Sequence, residues 1–424
     1  MTYSLIERPP KQASPGGVEK SPMSEIEQIR AAPGLQRIFL RQKIEEELLG
    51  NILPFWMYRV VDRPRGGFYG AVTRDLRSLN EVPRVALICA QILWIFAAAY
   101  RTYRRPEYLE MAGRAFRYLR LAFWDEEYGG IFWTVDMWGR PLDTRKTTVA
   151  QAMAVYGLAE HHSATGDPNS LQLAKEIFQL IEASIYNPRC DGYSEGSNRT
   201  WHVPVWEDER YTSNYVYLSM PTLLHLLEAY TNLLRIWDDS LLRERQRAMI
   251  ENILTRGIDP VTGHLRLCFD TTWRPLTGNI SYGHDSMSSW FLVEAATVQG
   301  NRDLQARVRE AVLGLATVVY KDGIDPDGGV RPVTNSVERS WWAQAETLIG
   351  MYTAFQLSGE ACFAEAAANI WFYIEDHFID RVHGDWFKSL ALDGTPLPDR
   401  YKVGIYEQAY QHPRACMELL RRMR

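Results

Sequence analysis

The chain has little sulfur chemistry to draw on. Its 424 residues include five cysteines (Cys89, Cys190, Cys268, Cys362 and Cys416), odd in number, widely scattered and without a CxxC pair. That spacing supports neither a disulfide framework nor a zinc site, and it fits a reducing cytoplasm. No apolar run looks long enough to span a bilayer, so no membrane partner is expected. A net charge of −5 provides no basic surface for nucleic acid or an anionic membrane. No GxSxG elbow supports a Ser-His-Asp hydrolase. Residues 1–33 mix Pro, Lys, Ser and Gly without an apolar h-region. They read as a flexible leader ahead of a single domain over 34–424.

Aromatic residues, by contrast, are abundant: 14 Trp and 22 Tyr in a chain that is 46% hydrophobic. Some of them recur in a unit. Gly66-Gly67-Phe68-Tyr69-Gly70 and Gly129-Gly130-Ile131-Phe132-Trp133 are its clearest copies, and weaker ones stand at Asp191-Gly192-Tyr193, Gly263-His264-Leu265, Gly328-Gly329-Val330 and Gly384-Asp385-Trp386. Gly-rich turns flanked by aromatic residues predict hairpins. Each interval between copies holds two helix-periodic segments: 84–103 with 107–123, 147–165 with 170–184, 215–237 with 241–255, 284–298 with 303–320, and 341–357 with 361–377. One helix remains at each end, 34–53 and 406–423, and the two can pair to close a ring. The first helix of each pair is apolar all round and the second is one-sided, as inner and outer helices should be. Twelve helices in six hairpins predict an all-α (α/α)6 barrel with short β-hairpins at one mouth. The charge run Glu207-Asp208-Glu209-Arg210 reads as a solvated loop.

The inner-helix starts converge on that mouth. They bring Gln91, His225 with Glu228, His284 with Asp285, Trp341 and Trp342 with Glu346, Tyr406, Tyr410, Gln411 and His412. His284 stands at a loop-to-helix switch beside a carboxylate, where Asp285 or Ser286 can cap the helix. Histidine titrates nearest neutral pH and so serves most readily as a base. Two adjacent Trp rings offer flat faces to a sugar or to the core. His225 and Glu228, three apart, could share a metal, but no second ligand pair accompanies them; no metal and no cofactor are expected.

Several motifs carry a resemblance: Gly66-Gly67-Phe68-Tyr69-Gly70, Gln91-Ile92-Leu93-Trp94, His225-Leu226-Leu227-Glu228-Ala229-Tyr230, Ser281-Tyr282-Gly283-His284-Asp285 and Trp341-Trp342-Ala343-Gln344-Ala345-Glu346. Over roughly residues 52–418 the chain resembles the N-acylglucosamine 2-epimerase superfamily, and within it the cellobiose 2-epimerases. The resemblance implies an (α/α)6 barrel. It also implies removal of the proton alpha to a sugar aldehyde and its return on the other face or on the neighbouring carbon, by two histidines. His284 matches one base, His225 a substrate-contacting histidine, and Trp341, Trp342 and Glu346 the sugar-binding wall. Four positions depart from the family pattern: Gln91 stands for an Arg, Met287 for a Glu, Gln411 for the second base, and Pro221 for an Asn. His412, next to Gln411, is the substitute base if it can turn in. Three readings follow. The first is a diverged sugar epimerase or isomerase, with weak activity on cellobiose or N-acylglucosamine. The second is a barrel recruited to a less polar substrate in specialised metabolism, and the third is a non-catalytic sugar-binding protein. In each the partner is a small molecule and the protein a monomer or homodimer.

Overall fold

The computed structural model describes residues 33–203 and 218–423. The leader, the charge run 207–210 and the first residues of the helix expected from Tyr215 lie outside the described residues. The described residues form twelve helical rods. The outer rods are α1 (Pro33–Glu47), which runs through a π turn into α2 (Leu53–Tyr58), then α4 (Pro106–Tyr118), α6 (Pro168–Ser184), α8 (Ser240–Asn252), α10 (Arg302–Asp322) and α12 (Ala361–Tyr373). The inner rods are α3 (Ala86–Tyr103), α5 (Thr148–Thr165), α7 (Met220–Leu234), α9 (Tyr282–Gln299), α11 (Trp341–Ser358) and α13 (Gln411–Arg422). Each inner helix packs on the next, and α13 packs back on α3 and on α1, closing the ring. The protein is an (α/α)6 barrel.

Burial follows the patterning of the sequence. In α3 every residue from Ala86 to Ala99 is buried. In α10 the buried set is Leu304, Val308, Val312, Leu315, Ala316 and Val319, one stripe at helical spacing. Helix α3 corrects one expectation. By length and composition it could cross a membrane. Its place in the inner ring accounts for that apolar character, since a fully enclosed helix needs no polar face.

The six Gly-aromatic units all form hairpins between an outer helix and the next inner helix, as the pairs Val61–Phe68, Trp124–Ile131, Ile258–Leu265, Ile324–Val330, Ile379–Trp386 and Tyr186–Tyr193 show. Each carries a feature that the Gly-aromatic reading overlooks, an Asp or Asn just ahead of the turn: Asp62, Asp125, Asn187, Asp259, Asp325 and Asp380. In five of the six, all but Asp325, this side chain accepts backbone N–H bonds from the turn, as Asp125 Oδ1 does from Glu127 and Tyr128. The turn then needs a left-handed residue three or four positions on. Glycine supplies it in five hairpins (Gly66, Gly129, Gly263, Gly328, Gly384) and Asp191 in the sixth.

These acids also fasten the hairpins to the chain ahead of the inner helices. Asp62 pairs with Arg84, Asp125 with Lys146 at 3.0 Å, Asp325 with Arg339 at 2.8 Å, and Asp380 with Lys402 at 2.8 Å. A second pin comes from the fourth residue of three inner helices. Gln151 bonds the backbone of Ile131, Gln344 that of Val330, and Asp285 the N–H of Leu265 at 2.7 Å. Hairpins and pins together make a stiff collar around the mouth.

Candidate active site

At the centre of the ring sits Arg414, fully buried on α13. Its guanidinium forms ion pairs with Glu228 of α7 and Glu346 of α11 and lies 4.1 Å from the Tyr410 ring centroid and 4.8 Å from that of Trp290. Glu346 also accepts from Trp290 Nε1 at 3.0 Å. A buried cation needs this much compensation, because a charge stripped of water is costly unless paired and hydrogen-bonded. The cluster ties three inner helices together and forms a floor beneath the mouth. Sequence reasoning missed Arg414. The available signal was a lone charge between Pro413 and Ala415-Cys416-Met417, a stretch that had to be buried.

Above that floor stands His225. Its Nδ1 is 3.2 Å from the Tyr410 hydroxyl and 3.7 Å from Glu228 Oε2. Tyr410 is therefore shared between the floor and the rim.

His284 lies in the first turn of α9. The cap of this helix is Ser281, whose Oγ accepts from the His284 backbone N–H; neither Asp285 nor Ser286 has that role. Ser281 Oγ is also 2.8 Å from His284 Nδ1 and 3.2 Å from the carbonyl oxygen of Pro332. A carbonyl only accepts, so when the hydroxyl proton goes to Pro332, His284 Nδ1 is the donor to Ser281. Nε2 then carries the lone pair, the arrangement of a base. The Trp342 ring packs 5.0 Å from the imidazole, centroid to centroid. Gly283 makes this approach possible: a Cβ there would stand 2.3 Å from Trp342.

Asp285 does not accompany His284. It is buried against His264 Nδ1 at 2.7 Å and the Leu265 N–H, in the same pinning position as Gln151 and Gln344. Adjacent helical residues point about 100° apart. Here His284 faces the mouth and Asp285 the collar. Burial disfavours a charged His264, but Asp285 and Asp322 outweigh it and raise the imidazole pKa.

His412 has likewise been drawn into the collar. It is fully buried, with Nε2 2.5 Å from Asp385 Oδ1 and Nδ1 enclosed without a hydrogen-bond partner. Burial outweighs the attraction of Asp385 and brings its pKa down to about 4. The ring is thus neutral and anchored, and turning it into the mouth would break the bond to Asp385.

The remaining candidates divide. Gln91, Gln408 and Gln411 form a carboxamide chain: Gln408 Oε1 accepts from Gln91 Nε2 at 2.9 Å and from Gln411 Nε2 at 3.2 Å, while Gln91 Oε1 accepts from Ala409 N at 3.1 Å. Met287 is buried in α9. Trp341 is buried, with Lys388 Nζ 5.3 Å from its ring centre, so Trp342 is the ring beside His284. Tyr406 is 75% exposed, outside the packed rim. The helix expected from Tyr406 starts at Gln411 instead, since Gln91 holds the backbone of Ala409 off the helical path. A cavity of about 610 Å³ opens at the other end of the ring, lined in part by Trp94, Tyr156, Glu160, Asn232 and Glu294. Its acids are paired, Glu160 with Arg101 and Glu294 with Arg421, and no histidine lines it among the described residues. The ionisable groups suited to proton transfer stand at the mouth.

Comparison with known proteins agrees with the barrel fold. A family model for N-acylglucosamine 2-epimerase matches residues 67–406. The cellobiose 2-epimerase of Bacteroides fragilis is 39% identical over 394 residues, covering 90% of this chain and 98% of that one. The human N-acylglucosamine 2-epimerase is 23% identical over 416 residues, 90% of each chain. The solved structure of a cellobiose 2-epimerase from Bacillus thermoamylovorans B4167 superposes with a TM-score of 0.87 at 33% identity, covering 90% of this chain and 99% of that one. A D-mannose isomerase structure, at TM-score 0.77 and 17% identity, shares the fold.

Proposed function

Because the chain belongs to the N-acylglucosamine 2-epimerase family, whose members are epimerase- or isomerase-like enzymes of small sugars, we propose that it moves the proton on the carbon beside a sugar aldehyde, with His284 as the base. The observation that carries this reading is the Ser281 hydroxyl. When it donates to Pro332, it leaves His284 protonated at Nδ1 and basic at Nε2. Nε2 takes the proton from C2, the electron pair moves into the C1 carbonyl, and an enediolate forms. The developing oxyanion needs a donor. His225, held at Nδ1 by the Tyr410 hydroxyl that also donates to Glu228 Oε2, is the group we assign to it. Trp342 supplies the flat wall for the sugar ring.

Ser281 takes over the orienting role for His284 at a site where position 287 is an apolar Met. The carboxamide chain of Gln91, Gln408 and Gln411 supports a second reading, a substrate less polar than a free disaccharide. It places neutral donors and acceptors where the resemblance implies an Arg and a His, at Gln91 and Gln411. Incubation with reducing sugars in heavy water tests the main reading. Deuterium at C2, lost in His284→Asn, is the expected result. Absence of exchange with every aldose offered would favour the second.

A further inference from the structure

The cavity of about 610 Å³ at the far end of the ring takes no part in the chemistry of the mouth. Its volume falls in the range of roughly 300–1,000 Å³ usual for small-molecule sites. Trp94 and Tyr156, midway along α3 and α5, line it as a stacked pair, with ring centroids 5.1 Å apart and planes within 9° of parallel. The C-terminal halves of α7, α9 and α13 add Asn232, Glu294 and Arg421 to the walls.

Charge decides the class of ligand that fits. The lining holds four arginines and four glutamates, so their formal charges cancel. They are also paired: Arg101 meets Glu160 at 2.6 Å and Arg421 meets Glu294 at 2.8 Å. The inner helices direct their C-terminal ends this way, each end equivalent to about half a negative charge. An anion would face those ends and the glutamates. A cation would have to compete with the arginines for the same carboxylates. Hydrogen-bonding capacity, in contrast, is left over in both senses. The last carbonyls of each helix have no intrahelical donor. Arg101 gives one N–H to Glu160, and its side chain is 47% exposed, so it has donors to spare. Tyr156 is only 7% exposed, yet its hydroxyl has no hydrogen-bond partner among the described residues and is not sealed in as Trp94 Nε1 is. A buried Tyr hydroxyl ordinarily finds a partner. This one opens into the cavity, free to donate and to accept.

We propose that this cavity is a second binding site, for a neutral, polyhydroxylated molecule of the sugar class, which it holds without transforming. Each sugar hydroxyl donates and accepts at once, so it satisfies arginine donors and carbonyl or carboxylate acceptors without adding charge. The apolar face of a sugar ring packs on the aromatic pair, and the Tyr156 hydroxyl gains the partner it lacks. No histidine lines the cavity among the described residues and its acids are paired, so nothing there moves a proton. The site stands whether or not His284 is the base at the mouth.

Titration calorimetry on the full chain tests this with methyl glucoside, methyl glucuronide and methyl glucosaminide. The three share one ring and are neutral, anionic and cationic, and none opens to an aldehyde. The neutral glycoside should bind at least about tenfold more tightly than either charged one. Thr102→Trp, which fills the cavity from its wall, should weaken that binding by about tenfold or more. Tyr156→Phe, which removes one oxygen and keeps the stacked ring, should weaken it by up to about tenfold, the worth of one hydrogen bond. It decides the matter even where Thr102→Trp lowers the melting temperature. Trp342→Ala, at the mouth, should leave the binding unchanged. Failure of the wild-type protein to bind the neutral glycoside more tightly than about 10 mM would overturn the proposal. Binding that Tyr156→Phe keeps in full and Trp342→Ala loses would overturn it too, by placing the ligand at the mouth. Tighter binding of a charged glycoside, lost in Thr102→Trp, would overturn the neutral class.

Discussion

Four histidines surround the mouth, and their partners divide them into two regions. In the collar, His264 and His412 each meet a buried carboxylate, Asp285 at 2.7 Å and Asp385 at 2.5 Å. On the rim, His225 and His284 each meet a hydroxyl at Nδ1, from Tyr410 and Ser281. A buried Asp locks both the ring and its proton and so builds structure. A hydroxyl at Nδ1 holds the ring by a neutral hydrogen bond instead of an ion pair with a buried Asp. The same residue type therefore serves two purposes, and the partner at Nδ1 or Nε2 decides which.

The comparison can be broken from below. Arg414→Met removes the cation between Glu228 and Glu346 and strands two buried carboxylates under the rim. Removing one partner of a buried ion cluster costs about 3–5 kcal/mol. Denaturant unfolding should show a loss of that size, and a variant as stable as wild type would mean that the floor does not hold the inner helices together.

A pH titration separates the collar from the rim. The folded-state pKa of His412 is depressed to about 4 from an ordinary 6.5. Above pH 6.5 the ring is neutral in both folded and unfolded chains and its full contribution is present. Between 6.5 and 4 the unfolded chain binds a proton that the folded chain refuses, so stability falls as the pH falls. A shift of this size is worth about 3 kcal/mol across the window. His412→Gln should flatten that part of the stability curve. An unchanged slope would show that His412 is not locked in its neutral form.

The smallest expected effect belongs to the rim. Ser281→Ala removes the hydroxyl that sets the His284 tautomer, and a lost hydrogen bond of this kind is worth up to about tenfold in rate. It also removes the cap of α9, at about 1 kcal/mol of stability. Ser281→Thr should restore both. Undiminished C2 exchange in Ser281→Ala would mean that the tautomer is set by another group.

Much of this was legible in the sequence, and the reasons for the rest are local. The inner helices from Ala86 and Trp341 announce themselves by all-round apolar composition, and the hairpins by Gly and aromatic residues. Arg414 was not legible as the centre, because its partners lie 186 and 68 residues away and only the closed ring brings them together. Asp285 misled because proximity in sequence is not proximity on a helix: its carboxylate faces His264. Helix α13 begins later than its apolar periodicity suggests, because a tertiary hydrogen bond from Gln91 overrides local preference.

The most direct test of the account is C2 deuterium exchange by His284→Asn and His264→Asn, measured side by side in heavy water with a reducing sugar that the wild-type protein exchanges. The account predicts that His284→Asn keeps its melting temperature and loses exchange by about 10²–10⁴-fold, the usual contribution of a positioned base. It predicts that His264→Asn lowers the melting temperature and keeps exchange in whatever fraction remains folded. Full exchange by His284→Asn would contradict the account.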